Sequence, residues 1–156
     1  MNPLILKILI QTKEAKSIKR IPYFHFHNKT HTMKKNDLTY RVIGCAMKVH
    51  NTLGAGFQEV IYQRCLAIEL KNAGINFERE VEQLIYYEGK EVGTRRADFV
   101  IEQQLVVELK ALVKLEDVHL AQAKNYTVAY NFSKGLLINF GGKSLDYKLI
   151  FNPKFQ

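Results

Sequence analysis

From residue 38 onward the hydrophobic positions recur at helical spacing: Leu38, Val42, Cys45, Val49 and Leu53 fall on one stripe, which ends before Gly54-Ala55-Gly56. Asn36 or Asp37 precedes the stripe as a capping residue. A second helix is predicted over 57–73, with Ile61, Cys65 and Ile68 as its apolar stripe and Gly74 as its stop. Between 76 and 110 the period changes to two, with turn signals at Glu88-Gly89 and over 102–104, so the chain is expected to form three antiparallel strands in a meander. Helical spacing returns over 116–131, where Val118, Gln122, Tyr126 and Ala129 share a stripe. An amide inside such a stripe needs a hydrogen-bond partner. Residues 135–140 and 146–151 then read as two more strands on either side of Gly141-Gly142. The predicted order is α-α-β-β-β-α-β-β, one α/β domain with a central mixed β-sheet.

The first 35 residues carry neither period, and "YFHFHNKTHT" interleaves aromatic, histidine and polar residues without helix caps. They also hold most of the net charge of +8. Eight basic side chains stand there against Glu14 alone, whereas the other 121 residues hold 15 basic and 14 acidic ones. The basicity therefore belongs to an N-terminal arm over 1–35 and not to the domain over 36–156. An arm of this kind touches phosphates without making a folded site. It is expected to be disordered or dispensable, or a translated upstream stretch with Met33 as the natural start. His25, His27 and His31 are read as part of that arm and not as metal ligands.

A length of 156 residues with 47% hydrophobic side chains suits one domain with its own core. No run approaches the roughly 18 apolar residues of a membrane span, and "PLILKILI" is too short and lacks a signal peptide's flanks. The expectation is a cytoplasmic protein with no membrane partner. Cys45 and Cys65 form no metal-binding spacing and are read as small buried hydrophobes.

The chemistry lies in "RRADFVIEQQLVVELKA". Alternation puts Ala97, Phe99 and Ile101 on one face of a strand, with Arg96, Asp98 and Val100 on the other. In the next strand Leu105, Val107 and Leu109 oppose Val106, Glu108 and Lys110. Placing both apolar sets on one face pairs Ile101 with Leu105 across 102–104, which sets Asp98 opposite Glu108 and Arg96 opposite Lys110. Two carboxylates that close repel each other unless something positive lies between them. Either Arg96 and Lys110 neutralise them on a solvated sheet face, or the carboxylates hold a hard cation such as Mg2+, with Lys110 beside a phosphate.

An Asp, a short hairpin and Glu108-Leu109-Lys110 resemble the PD-(D/E)XK nuclease superfamily, with Ala97 where the usual Pro stands. "LGAGFQEVIYQRCLAIEL" contains Gly56-x-x-Glu59-x-x-Tyr62, similar to the small bacterial GxxExxY proteins grouped there, and the likeness runs on through "HLAQAKNYT" and "GLLINFGG". The resemblance implies a restriction-endonuclease-like core, the central mixed β-sheet flanked by helices. It implies Glu59, Asp98 and Glu108 as ligands of Mg2+ or Mn2+, and Lys110 and Gln122 as catalytic partners, Gln122 and Tyr126 forming a Q-x-x-x-Y motif. Arg96, Tyr126, Tyr62 and His119 are supporting candidates; Tyr62 reads more simply as packing, and His119 as a solvent-facing helix residue. The function implied is hydrolysis of nucleic acid, DNA before RNA, by a metal-activated water. The alternative is a nucleic-acid-binding or protein-interaction module with weak or no catalysis, and a homodimer would enlarge the contact area in either case. A small phosphorylated substrate is the weakest reading, because no glycine-rich phosphate loop is present.

Overall fold

The computed structural model describes residues 37–155; the basic arm, Met33, His25, His27 and His31 lie outside the described residues. Helix α1 (Leu38–Leu53) opens at Asp37, whose carboxylate accepts the Thr39 N–H at 3.2 Å. It closes at Gly54, held at φ 71°. Helix α2 (Glu59–Asn72) follows after a short loop and packs against α1. Strands β1 (Phe77–Tyr87), β2 (Lys90–Ile101) and β3 (Leu105–Lys110) form the expected meander. Helix α3 (Asp117–Ala129) then carries the chain over to β4 (Lys134–Asn139), which runs parallel to β3, and β5 (Asp146–Phe151) returns antiparallel. A parallel neighbour requires such a crossover, because a tight turn reverses direction. The sheet order is β1-β2-β3-β4-β5.

Helices cover both faces of the sheet. On one, α1 and α2 bury Val42, Val49, Tyr62, Leu66 and Leu70 against Phe99, Val107, Leu109 and Ile138. On the other, Tyr126 and Tyr130 pack over Ala97, Val100 and Val106, while Ala123 of α3 meets Leu137 and Ile150. The mixed α/β architecture and its element order are those predicted. Cys45 is buried, Cys65 half-buried, and both are free thiols. Among the described residues no helix is long and apolar enough to cross a membrane.

Two helix faces differ from expectation. The buried side of α2 is Tyr62, Gln63, Leu66 and Leu70, while Ile68 of the predicted stripe is 58% exposed. Apolar residues surround this helix, and the row four residues apart, 62-66-70, carries its larger side chains to the sheet. On α3 the buried residues are Ala123, Thr127 and Ala129, whereas Gln122 is exposed and Val118 is 64% exposed. Close approach explains this choice: a Cβ on Gly135 of β4 would lie 1.9 Å from Thr127 Oγ1, so only small side chains fit between helix and strand.

That contact makes a test of the packing. Gly135→Ala is expected to lower unfolding free energy by about 1–3 kcal/mol, the usual cost of overpacking. Adding Thr127→Ala removes the clashing hydroxyl and should restore part of the loss. Urea unfolding of the two single variants and the double variant measures the coupling.

Candidate functional site

Strand pairing between β2 and β3 follows the predicted register for three pairs, Ile101↔Leu105, Val100↔Val106 and Phe99↔Val107, and then stops. Asp98 and Glu108 come next in that register, but no ladder joins them. On the other side the β1–β2 ladder also skips Asp98, passing from Arg79↔Phe99 to Val81↔Ala97. Glu80, opposite the gap, has a left-handed φ of 53°. Asp98 thus sits where both ladders lapse, as at a bulge that re-aims a side chain. Alternation lapses with them: Ala97, expected beside Phe99 and Ile101, packs with Val100 and Val106 instead. The expected Arg96–Lys110 pairing does not form either, because the β2–β3 ladder has already ended; Arg96 is exposed and opposes Glu82 of β1.

What replaces the ladder is a carboxylate. Asp98 Oδ2 accepts the Leu109 backbone N–H at 2.7 Å, and Asp98 Oδ1 accepts the Gln63 side-chain amide at 2.7 Å. Glu108 is 4% exposed, and its Oε1 is buried with no hydrogen-bond partner. Burial, reinforced by the neighbouring Asp98 charge, pushes the Glu108 carboxyl up to about 9 despite the pull of Lys110. Burial also raises Asp98, against the Leu109 N–H and Lys110, which favour its ionised form. Glu59, at the first position of α2, is raised by burial, with Lys110 opposing and Asp98 adding to the shift. The sequence-predicted Glu59, Asp98, Glu108 and Lys110 therefore share one electrostatic neighbourhood.

The entry to α2 is fixed by Tyr62. Its hydroxyl donates to the Gly54 carbonyl at 2.7 Å and accepts the Phe57 N–H at 3.2 Å, while its ring stacks on Phe140 at 4.6 Å. Gly56 in between takes a φ of 106°, open to glycine and strained for other residues. Tyr62 is thus a packing and anchoring residue, one position before Gln63 and three after Glu59. Gln63 was not singled out in the sequence. The signal was available, since it lies four residues after Glu59 and so one turn along the same helix face.

The remaining candidates lie elsewhere on α3. Gln122 is exposed and donates to the Tyr126 hydroxyl at 3.5 Å. The Tyr126 ring lies under the Arg95 guanidinium, 5.6 Å away, and that guanidinium also donates to the Asn125 carbonyl at 3.0 Å. His119 closes the helix start: its Nδ1 accepts the Glu116 N–H at 3.0 Å in a capping box.

The donor set suits a hard divalent cation. Glu108 Oε1 is an orphaned buried acceptor beside a second carboxylate, and added positive charge there would reverse the upward shifts of both. Among the described residues no three His, Cys, Asp or Glu side chains converge closely enough to ligate an ion by themselves. A pair of carboxylates is enough for Mg2+, which keeps several waters and is commonly held through one or two carboxylates plus substrate phosphate.

A family model described as the PD-(D/E)XK nuclease superfamily matches residues 36–149. Among solved structures, the crystal structure of SSO0001 is similar, with 27% sequence identity and a TM-score of 0.52 over 61% of this chain and 50% of that one. The chain thus spans about half the length of that structure. No curated protein shows significant similarity to it.

The buried carboxyl sets a pH dependence. Unfolded, Glu108 titrates near 4.5, and folded near 9, so the native state holds a proton that the unfolded chain releases across that interval. In chelator, stability should fall as pH rises from about 4.5 to about 9, because the folded state holds the proton more tightly than the unfolded chain. Asp98 and Glu59, both raised, act in the same direction. Glu108→Gln should flatten the fall and exceed the parent in stability at pH 8, as read from urea unfolding across pH.

Proposed function

The chain belongs to the PD-(D/E)XK nuclease superfamily, and from that membership we propose that it hydrolyses phosphodiester bonds of nucleic acid, DNA before RNA, with Mg2+ or Mn2+. The observation that carries this reading is the buried, unpartnered Glu108 Oε1 beside Asp98, with Lys110 two residues along the same strand. Within the superfamily we assign the chain to the GxxExxY group, on Gly56, Glu59 and the Tyr62 anchor. Asp98 and Glu108 would hold the cation, with Glu59 contributing from α2. A cation bound there supplies a Lewis acid that lowers the pKa of a water and offsets charge on the phosphate.

The protein's own groups do the rest. Lys110 places an ammonium beside the carboxylates, where it opposes their upward shifts and would face a phosphate oxygen of a bound substrate. The Leu109 N–H and the Gln63 amide fix the Asp98 carboxylate, and each of its oxygens keeps a lone pair for further coordination. We place the activity in the cytoplasm. Because the domain itself is nearly neutral, we include pairing of two copies as the means of enlarging its grip on DNA.

The test has two readouts. Mn2+ should raise the thermal midpoint of the parent and not of Asp98→Asn or Glu108→Gln. Labelled single- and double-stranded DNA and RNA, incubated with Mg2+ or Mn2+, should show cleavage of DNA that both variants abolish. Lys110→Ala should slow it by about 10²–10³-fold, the cost of losing one charge-stabilising group. DNA retained without cleavage in either ion would replace the nuclease by the binding-module alternative. Preferential cleavage of RNA would overturn the choice of substrate alone.

A further inference from the structure

Helix α2 meets the sheet at the candidate site through one polar contact that the motif does not name. Gln63 is 8% exposed, and its Nε2 donates to Asp98 Oδ1 at 2.7 Å. The opposite oxygen of Asp98 is held by the Leu109 N–H at 2.7 Å, so the carboxylate is clamped from two elements at once. Glu59 lies one helical turn before Gln63, so the position of one dictates that of the other. An amide fits this place where an acid does not. It donates to Asp98 and adds no further negative charge beside Glu59, Asp98 and Glu108.

We propose that Gln63 is a positioning residue: its amide fixes the Asp98 carboxylate and thereby docks α2 so that Glu59 stands beside Asp98. Its consequence for cation binding rests on the function proposed above; its consequence for the Asp98 clamp does not. Groups that orient metal ligands typically govern 10–100-fold in affinity when removed, by general experience of metal sites.

The experiment uses the full chain and four proteins: parent, Gln63→Met, Gln63→Glu and Leu70→Ala. Methionine keeps the length of the side chain and removes the donor; glutamate keeps the shape and, when ionised, replaces the donor by a charge. Leu70→Ala weakens the packing of α2 without touching Asp98. Two quantities are read: Mn2+ affinity by calorimetry, and amide exchange at Leu109 in chelator. Both Gln63 variants are expected to bind Mn2+ about 10–100-fold more weakly. Leu109 should also exchange about tenfold faster or more, while Ile138 keeps the parent rate. Leu70→Ala should retain the parent affinity.

Unchanged affinity in both Gln63 variants would overturn the inference. So would an equal loss in Leu70→Ala, which would make Gln63 merely part of helix packing. Should Gln63→Met fail to fold, Gln63→Glu decides by the same readouts. If the parent itself binds no Mn2+, the nuclease reading fails separately, and Leu109 exchange judges the clamp alone: faster exchange upholds it and unchanged exchange overturns it.

Discussion

The hydrogen bond from the Leu109 N–H to Asp98 Oδ2 is the contact on which this site depends. A backbone N–H buried between two strands ordinarily finds a carbonyl across the ladder, and leaving it unmet costs about 1–3 kcal/mol. Here β2 stops pairing with β3 after Phe99↔Val107, and a side-chain oxygen takes the place of the missing carbonyl. The strands are thus free to part without stranding a donor. Gln63 of α2 reaches Asp98 at this break, and Glu108 is buried just beyond the last ladder pair. One carboxylate satisfies the backbone, ties a helix to the sheet and supplies an acidic group to the site.

Holding that arrangement has an electrostatic cost. The carboxyls of Glu59, Asp98 and Glu108 are all shifted upward, chiefly by burial and further by acidic neighbours. Lys110 opposes the shifts of all three without cancelling them. A structure optimised for stability alone would replace Glu108 by an apolar residue, since its Oε1 gains no bond in return for being taken out of water. Such local disagreement with the rules of folding concentrates where chemistry is done. A cation bound there would resolve it, because it would turn repulsion between the carboxylates into shared attraction. Family membership and the unsatisfied electrostatics of the fold lead independently to the same expectation.

Most of the architecture was legible because strand alternation and turn residues constrain each other. The hairpin at 102–104 allowed one tight register with both apolar sets on a common face, and that register is observed as far as Phe99. It fails where tertiary structure overrides it. Nothing local in "RADF" announces that Asp98 will bond through its side chain, so neither the end of the ladder nor the turned Ala97 was readable. The helices misled for a different reason. Around α2 apolar residues occupy nearly every face, so spacing alone does not tell 61-65-68 from 62-66-70; the choice comes from fit against Phe140 and Leu109. On α3 the buried face is made of small residues, because Gly135 lets the helix approach the strand closely. A hydrophobicity pattern weights Val118 above Thr127, and the packing reverses that order.

The same reasoning gives the Gly-x-x-Glu-x-x-Tyr spacing a mechanical meaning. Tyr62 grips the loop before α2 at two backbone atoms and stacks on Phe140, the residue that follows the end of β4. A helix held at its first turn has little freedom to slide or rotate, because its rise and twist per residue are fixed. Glu59 lies three residues before that anchor and Gln63 one residue after it, so Tyr62 sets where the helix starts, while the Gln63 bond to Asp98 sets how it docks on the sheet. Gly56 is needed because the loop must turn through φ 106° for the hydroxyl to reach it. The motif therefore combines one acidic group with the two residues that decide where its helix begins. On this account its spacing follows from helix geometry, and it would serve any chemistry that needs an acid presented from α2 to the end of β3.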